Sequence, residues 1–218
     1  MFVLDNVAKY YRDGNSKRWI LREFSYDFSK HQYICVAGPS GSGKSTLLNL
    51  LCGLVPVDEG SIAFVHGDES ISLDTATPKL LRDFRRHRIG FIYQFFNLIP
   101  TLTALENVLL PLELTRQPAL DASARERLVH LGLGDRIHAF PDELSGGEQQ
   151  RLAVARAFAH NPDVILADEP TGNLDRDTAT EVIDLLWRET ARTKATLIVA
   201  SHDERVSERC QDVLSLAL

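Results

Sequence analysis

Two short stretches of this chain combine residue types that can hold phosphate and a divalent cation. The first is Gly38-Pro39-Ser40-Gly41-Ser42-Gly43-Lys44-Ser45, followed by Thr46. It fits G-x-x-x-x-G-K-[ST] directly after an apolar run and at the start of a helical pattern, the context such a loop needs. Glycines let the backbone curl until successive N–H groups point at one phosphate. The helix opening at Lys44 adds unpaired N–H groups and the positive end of its dipole. Lys44 is spaced to reach the β- and γ-phosphates, and the Ser45 hydroxyl is a hard oxygen ligand suited to Mg²⁺. A Gly/Ser turn with a chance lysine would match this pattern in roughly one chain of this length per hundred. The stretch therefore points to a nucleoside triphosphate.

The second stretch is Val164-Ile-Leu-Ala-Asp168-Glu169. An apolar strand ending in two acids places carboxylates at the C-terminal edge of a sheet, where open α/β folds bind ligands. Asp168 fits the side of the Mg²⁺ ion, and Glu169 fits a group that polarises an attacking water. Standing alone, such a run reads as a strand end with a solvated turn. Downstream of a phosphate loop it reads as the other half of a hydrolytic site.

A third element is Leu144-Ser145-Gly146-Gly147-Glu148-Gln-Gln-Arg151. Ser145 and Glu148 have the spacing of a capping box, which accounts for both residues as an ordinary helix start. A cap does not require two glycines between its members, however. Gly146-Gly147 would expose N–H groups beside a hydroxyl, a second anion-binding surface able to serve the nucleotide of another molecule.

LSGGEQQR resembles the signature of ABC-type ATPases, and the resemblance runs over nearly the whole chain with the motifs in order. It implies roles for further residues. Tyr11, with Tyr10 as the alternative register, matches the aromatic that stacks on adenine. Gln94 matches the glutamine that touches Mg²⁺ and links the core to a helical subdomain. Asp175 matches the loop that crosses the dimer interface, and His202 the switch histidine at the γ-phosphate. The implied fold is an α/β P-loop (RecA-like) core with a mainly parallel sheet, about 1–93 and 160–218, and an inserted α-helical subdomain, about 94–159. The implied ligands are ATP and Mg²⁺. The implied partners are a second copy, which sandwiches two nucleotides between its phosphate loop and the other copy's Ser145–Glu148, and an integral membrane permease. The implied place is cytoplasmic, peripheral on the inner face of the plasma membrane.

Within the family, Asp168-Glu-Pro-Thr-Gly-Asn-Leu-Asp175, Phe91–Pro100 and Leu105–Pro111 resemble one bacterial branch. It holds lipoprotein-releasing (LolD-like), macrolide- or peptide-exporting (MacB-like) and cell-division (FtsE-like) ATPases. In that branch a permease helix would dock near Gln94–Leu105, with Phe95, Phe96, Leu98 and Ile99 either forming its apolar groove or building the subdomain core. Two departures stand out. His31-Gln32 replaces the usual Gly-Glu turn before the first core strand, and from the short stretch after His202 no C-terminal regulatory domain is expected.

Positioning these residues requires strands and helices in alternation. Apolar runs at Tyr33–Ala37, Ile62–Val65, Ile89–Tyr93, Val164–Ala167 and Thr196–Ala200 predict strands covered on both faces. Lys44–Cys52 predicts a helix ending at Gly53. Asp177–Arg192 predicts another, with Val182, Ile183, Leu185, Leu186 and Trp187 toward a sheet. The 218 residues are 44% hydrophobic and 25% charged with a net charge of −6, which suits a globular domain and argues against a nucleic-acid partner. The three cysteines have neither metal nor disulfide spacing, so Cys35 and Cys52 read as core residues. No signal peptide and no run of about 18 apolar residues is present, so a membrane role is expected to come through a partner.

Overall fold

In the first half of the chain, apolar residues at Phe2, Leu4, Ile62 and Phe64 recur at every second position, the spacing of strands with one buried face. The structure, a computed structural model, describes residues 1–14, 16–28, 32–117 and 121–216. His31 and Pro118 lie outside them. The chain divides into two compact units, Met1–Arg85 with Ala200–Leu218, and Arg86–Val199.

The first unit is built on an antiparallel sheet in the order β2-β1-β4-β5, with β1 Phe2–Asp13, β2 Ser16–Asp27, β4 Glu59–His66 and β5 Glu69–Ser72. Phe2, Phe28, Phe64 and Phe84, the last on the helix α2 Pro78–Arg88, form an aromatic cluster, with Phe2 and Phe64 ring centres 5.1 Å apart and Phe64 and Phe84 4.9 Å apart. All four are buried, and truncating one to alanine would cost about 3–5 kcal/mol. Ile62–Val65 was expected among strands covered on both faces. It lies instead in β4, whose alternation buries Ile62 and Phe64 and leaves Val65 exposed, because an antiparallel sheet needs only one covered face.

The same unit holds β3 Tyr33–Ala37 paired in parallel with β9 Asp212–Ser215. From β3 the chain turns through the glycine-rich loop into α1 Lys44–Leu51, with Cys52 as C-cap and Gly53 beyond it at φ 62°. That is the expected helix and stop.

The second unit contains β6 Ile89–Ile92, β7 Val164–Asp168 and β8 Thr196–Ala200, in sheet order β6-β7-β8 with β6 and β7 parallel. Every residue of β8 is buried, as the continuous apolar run predicted. Between β6 and β7 the described residues are helical or irregular, with α3 Ala104–Thr115, α4 Asp121–His130 and α5 Gly146–Phe158. The helix α6 Arg176–Thr193 buries Val182, Ile183, Leu185 and Leu186.

One buried polar network holds α4, α5 and α6 in place. Arg127 Nε lies 3.1 Å from Glu189 Oε2, its Nη1 donates to the Phe158 carbonyl at 2.6 Å, and Arg192 Nη2 reaches the same Glu189 oxygen at 2.7 Å. Burial lowers the Arg127 pKa, but the carboxylate opposes that shift. Removing either partner of such a pair costs about 3–5 kcal/mol. The network therefore fixes the C-terminal end of the helix whose start carries Ser145.

Candidate functional site

The first unit presents the phosphate loop. Gly43, at φ 98°, caps α1 with no side-chain hydrogen bond, and no acid sits in the first turn. A Cβ at Gly43 would collide with the Ile20 side chain of β2, so this position needs glycine both for its left-handed backbone and for its clearance. Lys44 is buried, and its Nζ donates to the carbonyls of Gly38 at 2.8 Å and Pro39 at 3.2 Å. The ammonium is thereby held inside the curl formed by Gly38–Gly43. The start of α1 keeps its orphan N–H groups and dipole free of any built-in counter-charge. Ser45 and Thr46 follow in its first turn.

The two tyrosine registers differ in surroundings. Tyr10 pairs with Trp19 across the ladder, its ring 5.0 Å from the indole and 4.1 Å below the Lys17 ammonium. Tyr11 pairs with Arg18 and is 45% exposed. Neighbours along a strand point to opposite faces and directly opposed residues share one. Tyr11 therefore faces the side on which Arg18 reaches the phosphate loop, and Tyr10 faces away from it.

His202 follows buried Ser201, whose N–H donates to the Val36 carbonyl of β3 at 3.2 Å. Asp203 caps the short helix α7 Glu204–Ser207 and binds Arg205 at 2.6 Å. That hydrogen bonding holds the Asp203 carboxylate below its usual pKa. The histidine is thus exposed between two fixed neighbours, one of them tied to the strand that feeds the phosphate loop.

The second unit holds the carboxylates. Asp168 ends β7 half-buried, and Glu169 takes φ 45°. A glutamate in the left-handed region is strained by about 1–2 kcal/mol. The Gly172 N–H donates to the Glu169 carbonyl at 3.1 Å and locks the bend. Asp175 caps α6, accepting from Asp177 N at 3.1 Å and Thr178 N at 3.0 Å. Hydrogen bonds from Thr178 lower its pKa.

Gln94 is tied to the loop after β7 within this unit. Asn173 Nδ2 donates to its carbonyl at 2.8 Å, and a Cβ at Gly172 would lie 3.5 Å from its amide nitrogen. Phe96 and Asn97, both left-handed, offer their carbonyls to Arg156 Nη2 and Nη1 at 2.7 and 2.6 Å. Phe95 is 72% exposed, and Phe96, Leu98 and Ile99 are half-buried. None of the four is therefore a fully buried core residue.

Ser145 caps α5, and the capping box is complete. Glu148 Oε2 accepts from Ser145 N at 2.8 Å and from its Oγ at 2.7 Å, and Glu148 N donates back to Oγ at 3.3 Å. A Cβ at Gly147 would sit 2.6 Å from Thr178 Cγ2 on α6, whereas one at Gly146 would meet only Leu174 at 3.8 Å. Packing thus accounts for Gly147 and leaves Gly146 unexplained.

Reading the sequence missed Arg18, Asn173 and Arg156. Arg156 sits in the helical pattern of α5 as one more polar residue. Its two acceptors are 59 and 60 residues away, so no local signal marks it.

A sequence profile of the family described as ABC transporter matches residues 21–172. An uncharacterised ABC transporter ATP-binding protein of Mycobacterium tuberculosis, Rv0986, is 45% identical over 98% of this chain and 85% of its own length. The lipoprotein-releasing system ATP-binding protein LolD of Legionella pneumophila is 41% identical over 96% of this chain and 92% of its own. The dimeric structure of MJ0796, described as a bacterial ABC transporter cassette, superposes with a TM-score of 0.88 at 37% identity. It covers 99% of this chain and 94% of that one. A post-hydrolysis dimer of the same cassette bound to ADP and Pi gives 0.86 at 35% identity.

Proposed function

The chain belongs to the ABC transporter family as its ATP-binding, ATP-hydrolysing cassette, and from that membership we propose that it powers a separate membrane permease in lipoprotein release or a related export. The observation that carries this reading is the 41% identity to LolD, sustained over 96% of the chain. The permease would supply the membrane crossing, since no helix among the described residues is long and apolar enough to span a bilayer. The cassette then works at the cytoplasmic face of the membrane, and the exposed Phe95 with its half-buried neighbours forms the apolar lip that receives a permease helix.

In this reading the first unit binds the nucleotide. Tyr11 stacks on adenine. The N–H groups of Gly38–Thr46 and the start of α1 hold the phosphates, with Lys44 turned from the loop carbonyls to their oxygens. His202 contacts the γ-phosphate. The second unit supplies Asp168 and Glu169. The left-handed bend turns the Glu169 carboxylate away from the strand direction, where it orients a water and accepts its proton. Ser45, Gln94 and Asp168 offer only oxygen to a cation, a hydroxyl, an amide carbonyl and a carboxylate. That donor set fits Mg²⁺. When bound, the ion would neutralise charge developing on the β- and γ-phosphate oxygens.

A second copy completes the catalytic state, as the dimeric relatives suggest. Ser145, Gly146, Gly147 and Glu148 of one copy, with Asp175 at the contact, meet the nucleotide held by the other. The helical stretch 94–159 acts as the subdomain that carries this surface. Glu169→Gln tests the hydrolytic core: turnover should fall by about 10²- to 10⁴-fold, with a dimer persisting on a sizing column in Mg-ATP. Hydrolysis near the wild-type rate removes Glu169 from the role. Co-purification with the membrane protein encoded as its partner, followed by a lipoprotein-release assay in proteoliposomes, separates export from a cell-division output.

A further inference from the structure

Arg18 of β2 stands over the phosphate loop with no partner among the described residues. Its Nη2 lies 4.0 Å from the place a Cβ would occupy at Gly41. Two residues on, Ile20 of the same strand touches Gly43. The ladder carries a one-residue bulge there, since Tyr10 pairs with Trp19 while Lys9 pairs with Leu21. Such a bulge adds a residue to β2 and re-aims the side chains around it, which brings Arg18 and Ile20 to the loop together.

Lys9, Lys17 and Arg22 of the same ladder are engaged. Lys9 donates to the Pro56 carbonyl at 2.8 Å and pairs with Asp58 at 3.1 Å. Lys17 and Arg22 lie over the Trp19 ring at 5.5 and 4.8 Å. Arg18 has no hydrogen bond, ion pair or ring contact among the described residues. It is exposed, in a chain whose net charge of −6 gives a guanidinium ample acids to pair with.

Arg18 directly opposes Tyr11 in the ladder and reaches Gly41 on the same face. Its guanidinium therefore lies between the aromatic proposed for the base and the loop proposed for the outer phosphates. A nucleotide laid between those two places its first phosphate beside it. We propose that Arg18 is a nucleotide-binding residue that clamps the α-phosphate of the bound adenine nucleotide from the β2 side. The inference rests on the reading of Gly38–Thr46 as the nucleotide loop. An arginine suits the task, because its planar fork gives two parallel hydrogen bonds to phosphate oxygens and keeps its charge at every working pH. The site is open to solvent, so its contribution is modest and salt-sensitive.

The test is a titration of wild type, Arg18→Ala and Arg18→Lys with ADP, AMP and adenosine at low protein concentration, in 50 mM and 500 mM salt. Arg18→Ala should weaken ADP and AMP by about five- to tenfold at low salt and by less at high salt. It should leave adenosine binding and the melting temperature of the nucleotide-free protein unchanged. Arg18→Lys should recover part of the loss. Unchanged ADP and AMP affinity in Arg18→Ala overturns the proposal, including where ATP-driven dimerisation alone is lost, which would assign the guanidinium to the partner copy. An equal loss for adenosine also overturns it, moving the residue to the base. Failure of wild type to bind ADP at all would instead refute the nucleotide-loop reading beneath it.

Discussion

The helices α1 and α5 both begin after a Gly/Ser-rich turn, yet the chain finishes their first turns in opposite ways. At α1 the cap is Gly43, with no side-chain hydrogen bond and no acid in the first turn. At α5 the cap is Ser145, closed by Glu148 in a complete capping box. An uncapped helix start leaves its N–H groups and dipole to whatever anion arrives, whereas a capping box consumes two donors and places a carboxylate where an anion would go. The first end is built for a ligand and held together by Lys44. The second is satisfied in the isolated chain, and its capacity for a partner's nucleotide falls to the N–H groups of Gly146 and Gly147. In the proposed function the first end binds alone, and the second binds only what another molecule brings.

The largest expected effect breaks the α1 end. Lys44→Ala should weaken ATP by about 100-fold or more in calorimetric titration, since the charged donor at the phosphates is lost. The nucleotide-free protein should also melt lower, because the Gly38 and Pro39 carbonyls lose their donor. An affinity within a few-fold of wild type would show that the loop's N–H groups suffice without the lysine.

A paired substitution sharpens the α5 end. Gly147→Ala forces a methyl against Thr178 and should cost about 1–3 kcal/mol in urea unfolding, as overpacking does. Gly146→Ala makes only ordinary contact with Leu174 and gains helix propensity, so its stability should match or exceed wild type by up to about 1 kcal/mol. It should nonetheless lower ATP turnover if that face meets the partner's nucleotide. Full activity in Gly146→Ala would reduce the glycine pair to a packing device.

The smallest effect lies in the cap itself. Hydrogen bonds from the Ser145 N–H and hydroxyl hold the Glu148 carboxyl below its ordinary pKa of 4.5. A carboxylate with a folded pKa below its unfolded value adds stability that is complete above the unfolded value and is lost as pH falls through the folded one. Glu148→Gln should therefore destabilise by a few tenths of a kcal/mol at pH 7, through loss of an acid from the first turn. That difference should close as the pH falls below 4.5 and through the lowered folded-state pKa, which acid titration of unfolding midpoints will read. A difference that persists there would mean the amide fails for geometric reasons.

Much of the parallel core was legible because its strands are covered on both faces and read as unbroken apolar runs. Tyr33–Ala37, Val164–Ala167 and Thr196–Ala200 announce themselves in this way. Of the N-terminal sheet only β4 was legible, through Ile62–Val65. Register shifts at Leu4/Val7, Val7/Lys9 and Lys9/Tyr10 interrupt the alternation of β1, so the period-two pattern that starts with Phe2 and Leu4 does not continue to Asp13. For the same reason the sequence leaves Tyr10 and Tyr11 as alternatives, and only the pairing with Trp19 and Arg18 shows that they take opposite faces.

The sequence by itself determined the chemistry. A glycine-rich loop ending in Lys-Ser, a strand ending in Asp-Glu and a signature turn before a helix are local patterns, and local backbone geometry is enough to give each its donors and acceptors. Tertiary structure alone decided which of those groups are already spent and which are spare. Glu148 closes its own cap, Asp175 caps α6, Thr178 accounts for Gly147, Arg156 and Asn173 hold the backbone around Gln94, and Arg18 is left over the phosphate loop. Each of these outcomes depends on where the groups of a folded neighbourhood end up relative to one another. A hydrogen bond formed across tens of residues leaves no trace in the spacing of the sequence that makes it.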